Sequence, residues 1–252
     1  MLTTQRKQHL LARLKQDGQV VAKALSEELG LSEDTIRRDL RELARDGLLQ
    51  RVHGGALPAS PAVADFAGRT TIAPEAKVAI GRTAAKMVQS RQIVMVDGGT
   101  TALQLAKHLP RELDATIITH SPTIAVELVE HSNIEVILIG GKLFKHSVVT
   151  VGAAALESIS RLRADVYFMG ATGIHTSAGV TTGDLEEAYI KHALSQRAAE
   201  TILLASSEKL GAASPYLIMG LDELSGMIVE RDTSEEVVKP FMDAGVAVTR
   251  AP

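Results

Sequence analysis

The sequence predicts two domains of different class: a small winged helix-turn-helix at the amino terminus and an α/β domain behind it, built on a largely parallel sheet with flanking helices. Three observations lead there. Residues 32–43 read as a capped amphipathic helix with arginines on its outer face, and residues 48–57 read as two short strands about a glycine turn. From residue 74 onward, short apolar and β-branched runs alternate with helix-length stretches, the rhythm of an α/β layer fold.

The elements of the head follow in order. Residues 6–15 form a first helix whose Leu10, Leu11 and Leu14 can pack beneath the arginine-rich one, and Gln19, Val20 and Val21 form a short strand available to pair with the wing. Residues 23–29 are a short helix with a small apolar stripe, joined by the tight Gly30-Leu31-Ser32 connection to the next. Ser32 caps that helix by accepting a backbone N–H bond, and Glu33 and Asp34 sit at the positive end of its dipole. Ile36, Leu40 and Leu43 recur at helical spacing as the buried stripe, leaving Arg37, Arg41 and Arg45 on one outer line with Thr35 and Arg38 alongside. Taken alone, arginines interleaved with Asp39, Glu42 and Asp46 equally describe an ordinary solvated face. The preceding short helix and the following wing, entered through Gly47, favour a DNA-reading helix instead.

Composition bounds the rest. The 252 residues are 45% hydrophobic, enough for a substantial core, and contain no cysteine, which excludes disulfides, thiolate metal sites and a cysteine nucleophile. The amino-terminal segment is polar and no apolar run approaches a membrane span, so a cytoplasmic protein with no membrane partner is expected. The formal charge is −3, yet residues 1–60 carry ten Lys/Arg against eight Asp/Glu. A mildly basic head on an acidic body fits one DNA-facing end, since phosphate attraction is local and screened within about 10 Å.

Residues 58–73 are rich in Ala, Pro, Ser and Gly and read as a linker, so the expected division is 1–57 for the head, 58–73 for the linker and 74–252 for the larger domain. Pro74 opens a helix to about residue 89. Strands are expected at 92–96, 115–119, 134–139, 164–169 and 201–205. Ligands of such sheets bind beyond the carboxyl ends of the strands, so the residues there are the candidates. Asp97, Gly98, Gly99, Thr100 and Thr101 end the first strand and feed a helix expected at 102–109. Glycines, hydroxyls and helix N–H groups suit an anion there, while the lysine of a nucleotide-binding phosphate loop is absent. Thr119, His120 and Ser121 end the second strand, Gly140 and Gly141 the third, and Gly170 the fourth, so that four strand ends can converge on one cleft. Asp184, Glu186 and Glu187 open a long helix that also holds Lys191, and Lys209 follows the fifth strand. Glu187 and Lys191 stand at the spacing of an ordinary exposed pair, whereas Lys209 is placed to neutralise a phosphate. The scattered histidines show no metal-ligand spacing, so neither metal nor cofactor is expected.

The runs Leu31-Ser32, Thr35-Ile-Arg-Arg-Asp-Leu40, Gly47 and Arg51-Val-His-Gly-Gly-Ala56 resemble the amino-terminal pattern of the DeoR family of bacterial transcription regulators, and the second half is similar to that family's effector domain. The resemblance implies that Ser32, Thr35, Arg37, Arg38 and Arg41 enter the major groove, with Arg51, His53 and Gly54 on the wing near phosphate or the minor groove. It implies a larger domain with a ribose-5-phosphate-isomerase-like fold that senses a phosphorylated sugar or related metabolite. The residues from Asp97 to Thr101 would hold it, with Thr119 to Ser121 and Gly140-Gly141 lining the cleft and Glu187, Lys191 and Lys209 completing it. A repressor acting as a dimer or larger homo-oligomer, and not an enzyme, is the implied function. Ser206 departs from the pattern, the family commonly having aspartate there. Two alternatives stay open on the residues. One is an isomerase with a DNA-binding head, although Gly170-Ala-Thr-Gly173 stands where isomerases of that fold have an acidic run. The other is a constitutive DNA binder whose large domain only oligomerises.

Overall fold

The computed structural model describes residues 2–60 and 64–252, so the middle of the expected linker, residues 61–63, lies outside the described residues. The head is α1 (Thr3–Asp17), β1 (Val20–Val21), α2 (Ala22–Leu29), α3 (Glu33–Arg45), β2 (Leu49–Val52) and β3 (Gly55–Pro58). Its strands form one antiparallel sheet in the order β1-β3-β2, which makes the wing a three-stranded unit rather than an isolated hairpin. Leu10, Leu14, Leu25, Ile36, Leu40, Leu43 and Leu49 close a separate core, with Leu11 packed at its edge. The Ser32 hydroxyl accepts from Thr35 N at 3.2 Å, capping α3 where its sequence predicts.

Beyond the wing lie α4 (Phe66–Arg69), α5 (Pro74–Ala85), β4 (Ile93–Val96), α6 (Thr100–Lys107), β5 (Ala115–Thr119), α7 (Pro122–Glu127) and β6 (Ile134–Leu138). A hairpin of β7 (Lys142–Phe144) and β8 (Val149–Val151) leads to α8 (Ala153–Ser160), β9 (Ala164–Gly170), β10 (Gly173–His175) and β11 (Gly179–Thr182). The chain closes through α9 (Leu185–Ser195), β12 (Ala198–Leu204), β13 (Tyr216–Met219), β14 (Gly226–Glu230), α10 (Glu235–Asp243) and β15 (Val248–Ala251). The main sheet has seven strands in the order β15-β14-β12-β9-β4-β5-β6, and every pairing in it is parallel. Both faces are covered, as a parallel sheet requires. Met95, Tyr167, Leu203 and Met227 point to a core beneath α8, α9 and α10, while their neighbours Val94, Phe168, Ile202 and Ile228 point to one beneath α5, α6 and α7.

Several boundaries differ from the sequence reading. The helix opened by Pro74 stops at Ala85, short of residue 89, and α6 begins at Thr100, so both threonines belong to its first turn. Strands β14 and β15 extend the sheet beyond the expected five, and a second sheet, β10-β11-β13, caps the strand ends. The expected linker carries structure of its own. Ser60 N donates to the Ala213 carbonyl at 3.3 Å, Ala213 N to Pro58 at 3.1 Å, and the Ser60 hydroxyl to the Thr172 carbonyl. Phe66 N then donates to His146 O at 2.7 Å, and Asp65 caps α4. The wing strand therefore passes directly onto the larger domain.

Gly55 shows how tightly the head is built, for a Cβ placed there would stand 1.9 Å from Val20 O. Gly55→Ala must push β1 off β3, and overpacking of this kind costs about 1–3 kcal/mol or more. Denaturant unfolding of the full chain is expected to show an early transition for the head, with that of the sheet domain unmoved.

Candidate functional site

Chain order runs outward from β4 through β5 to β6 on one side and resumes at β9 on the other, so β4 and β9 are the neighbours between which the sheet reverses. Crevices form beyond the carboxyl ends of such strands. Here the gap is bridged by Asp97, fully buried at the end of β4. Its Oδ1 accepts from Gly98 N and lies 2.8 Å from His120 Nε2. Its Oδ2 accepts from Gly170 N at 2.7 Å, at the end of β9, and from Lys191 Nζ on α9. Burial by itself raises a carboxyl's pKa, but the Lys191 charge and the His120 hydrogen bond outweigh it and hold Asp97 well below the usual carboxylate range. His120 is in turn fixed by the Thr150 carbonyl, 3.1 Å from Nδ1, which ties the β7–β8 hairpin to the same point.

Above this anchor lies a cleft open to solvent, with the first turn of α6 on one side. Gly98 and Gly99 allow the approach. A Cβ on Gly98 would meet Val149 Cγ1 at 2.1 Å and Gly99 has φ +108, so glycines carry the chain into Thr100 and Thr101, which line the cleft. Four cations converge there: Arg69 from α4, Lys77 from α5, Lys191 from α9 and Lys209 after β12. Burial pushes Lys209 down to about 8, with Lys77, Arg69 and Lys191 adding to the shift and Glu208 opposing it; burial lowers Lys77 and Arg69 as well. Arg69 Nε and Nη2 are shielded from solvent and have no hydrogen-bond partner among the described residues. Lys77 Nζ donates to the Arg69 carbonyl, so one cleft cation also holds the α4 backbone. Crowded, partly desolvated positive charge beside a helix amino terminus suits an anion electrostatically.

On the head, Arg37, Arg38, Arg41 and Arg45 are exposed along α3. The acidic residues between them are largely turned away: Asp39 is buried in a bidentate pair with Arg6 of α1, and Glu42 bonds Lys7 at 2.6 Å. Arg37 pairs with Glu33 at 2.7 Å, while Arg38 makes no hydrogen bond or ion pair among the described residues. The wing presents Arg51, His53 and Gly54 to solvent beside this face. An exposed arginine row next to a basic wing tip matches the footprint of a duplex.

Residues 6–61 match the DeoR-like helix-turn-helix domain, and residues 72–231 match the DeoR C-terminal sensor domain. The chain belongs to the DeoR family. Among its relatives, the HTH-type transcriptional regulator GlpR of Haloferax volcanii is 32% identical over 250 residues, 98% of each chain. The HTH-type transcriptional repressor GlcR of Bacillus subtilis is 33% identical, covering 88% of this chain and 86% of that one. The glycerol-3-phosphate regulon repressor of Escherichia coli is 32% identical over 84% of each. Among solved structures, ribose 5-phosphate isomerase A of Methanocaldococcus jannaschii aligns over 54% of each chain at 15% identity, with a TM-score of 0.41.

In this DeoR-family chain the expected effector residues separate into three groups. Gly98, Gly99, Thr100, Thr101, Gly170, Glu187, Lys191 and Lys209 line the cleft together. Asp97, Thr119, His120 and Ser121 do not line it; they are buried one layer behind, where Asp97 holds the strand ends and Thr119 Oγ1 accepts from Ser121 N at 3.1 Å. Gly140 and Gly141 are not part of it at all. They follow the edge strand β6, two strands from the reversal, and Gly141 serves close packing, since a Cβ there would stand 2.7 Å from Val151 O. Sequence reasoning missed Arg69, Lys77, Ser147, Thr172, Thr182 and Glu208, all on the cleft wall. A cation in an otherwise small-residue linker was the available signal for Arg69. Ser206 is buried and donates to Glu208 Oε1 at 2.6 Å, so the residue that departs from the family pattern sets the position of a carboxylate on the cleft wall.

Asp97→Asn leaves the buried Lys191 ammonium without its counter-charge, and breaking a buried pair from one side costs about 3–5 kcal/mol. Denaturant unfolding at pH 7 is expected to show that loss. Because Asp97 is depressed below its ordinary value of 3.8, its contribution is complete above about pH 4 and disappears as the pH falls through the acid range. The wild-type stability curve is expected to fall more steeply there than that of Asp97→Asn.

Proposed function

We propose that the protein is a repressor of a carbohydrate-metabolism operon whose operator affinity is set by a phosphorylated sugar or related metabolite bound at the cleft. The observation that carries this reading is the convergence of Arg69, Lys77, Lys191 and Lys209 on the amino terminus of α6, with two guanidinium nitrogens unpartnered among the described residues. A phosphate dianion takes helix N–H bonds and cationic donors at once. The names of the GlcR and glycerol-3-phosphate regulon repressors support it. Two heads on a homo-oligomer, at least a dimer, would engage paired half-sites. The carboxylates on the cleft wall, Glu187 and Glu208, are engaged by the Ser147 and Ser206 hydroxyls, and a regulator without a catalytic step or cofactor is our reading of them.

The route from cleft to head is short. Arg69 reaches the cleft from α4, and the Ser60 hydroxyl, two residues beyond the wing strand, bonds the carbonyl of Thr172 on the same wall. An anion that draws Arg69 inward shifts the α4 segment, and operator affinity changes to the extent that the effector binds the free and DNA-bound arrangements unequally.

The effector reading is tested by thermal unfolding of the full chain against paired phosphorylated and free sugars. A ligand at a hundred times its Kd adds about 2.7 kcal/mol, and only the phosphorylated member of a pair is expected to raise the midpoint. Lys209 gives the pH signature. With its value lowered to about 8, the ammonium is present below that pH and lost above it, so affinity is expected to fall as pH rises from 8 to 9, by at most about tenfold. Lys209→Met removes that slope, and an unchanged slope would place the titrating group elsewhere.

On the DNA side, Arg38→Ala is expected to cost about 1–3 kcal/mol on operator while leaving random duplex unaffected if Arg38 reads a base edge. Equal loss on both, measured by gel shift, would assign it to phosphate.

A further inference from the structure

A second cleft, of about 380 Å³, adjoins the first and shares Arg69, Ser147, Thr172 and Glu187 with it. Its character is different. Phe144 and His146 stand with ring centroids 5.7 Å apart and, with Pro215, give it an apolar wall. Two carboxylates with open acceptors share its lining. Asp184 uses Oδ1 to cap α9, accepting from Glu187 N at 3.0 Å, and Glu187 Oε2 accepts from Ser147 Oγ at 3.2 Å. Asp184 Oδ2 and Glu187 Oε1 accept no hydrogen bond among the described residues. Open carboxylate oxygens in one cleft with a ring-and-proline wall match a polyol or sugar ring, whose hydroxyls donate while its C–H face lies on the apolar side. The same carboxylates repel a second phosphate.

We infer that the two clefts form one polarised site for a sugar monophosphate, its phosphate on the cationic side and its hydroxylated ring beside Asp184 and Glu187, and that this polarity excludes sugar bisphosphates. The inference rests on the reading of the cationic cleft as a phosphate site. Arg69 stands at the boundary, lining both clefts and lying in the field of Glu187, so a ligand must extend past it to reach the second compartment. Size and charge are therefore selected separately. On this arrangement a three-carbon polyol phosphate stays on the cationic side, and a hexose phosphate reaches both. A hexose phosphorylated at both ends sets its far phosphate against two carboxylates.

The test is calorimetric titration of the full chain with inorganic phosphate, a three-carbon polyol phosphate, a hexose 6-phosphate and a hexose 1,6-bisphosphate. The hexose monophosphate is expected to bind at least about tenfold more tightly than each of the other three. In Asp184→Asn with Glu187→Gln, where asparagine still caps α9, the discrimination against the bisphosphate is expected to shrink to within about threefold. The far-ultraviolet spectrum and unfolding midpoint of that variant confirm that it folds. A wild-type chain that binds the bisphosphate as tightly as the monophosphate, or all four compounds equally, overturns the second compartment and leaves the phosphate site standing. Binding of none of them overturns both.

Discussion

The larger domain hangs on one buried carboxylate. Moving Asp97 out of water is unfavourable, and the structure offsets this with two backbone donors, an imidazole and an ammonium drawn from four separate elements. The network fixes the end of β4 against that of β9, orients α9 so that Lys191 and Glu187 stand together, and holds the β7–β8 hairpin through His120. The cleft is the space left above this clamp. Its positive charges are then tolerable because they come from elements already held in place, and desolvation lowers the pKa values of Arg69, Lys77 and Lys209.

A similar division operates in the head. Arg6 and Lys7 of α1 draw Asp39 and Glu42 of α3 inward, so charges that look balanced along the sequence are separated in space into a neutral core side and a cationic outer side. The net charge of the chain carries no sign of this. Long-range charge-assisted bonds convert an alternating sequence into an unbalanced surface.

What could be read from the sequence was what is decided locally. The Ser32 cap, the Ile36, Leu40 and Leu43 stripe, the wing and the glycine pair before α6 depend on neighbours within a turn or two, and the structure shows them. What could not be read was decided by sheet order. Gly140-Gly141 and Gly98-Gly99 look alike as glycine pairs after strands, yet one follows an edge strand and the other the strand at the reversal. Thr119 to Ser121 were placed at the right end of the sheet but one layer too far forward, because burial depth depends on how β8 packs over them. Arg69 and Lys77 were missed because α4 and α5 reach the cleft only through folding of the segment before the sheet. The strands β14 and β15 were missed although each pairs with the main-sheet strand just before it in the chain.

The contact of Pro58 and Ser60 with Ala213 and Thr172 bears on how such regulators can be recombined. The stretch after the wing looks like a seam at which one DNA-reading head could be exchanged for another. Its first residues are instead part of the sensor's wall, bonded backbone to backbone as if they were one more short strand. A chimera joined after residue 65 would bring foreign residues onto that wall, whereas a junction at residue 57 keeps the native contacts with the sensor. Exchange of heads in this architecture is constrained by the fit of three residues, and shuffling of operator specificity among relatives carries that fit with it.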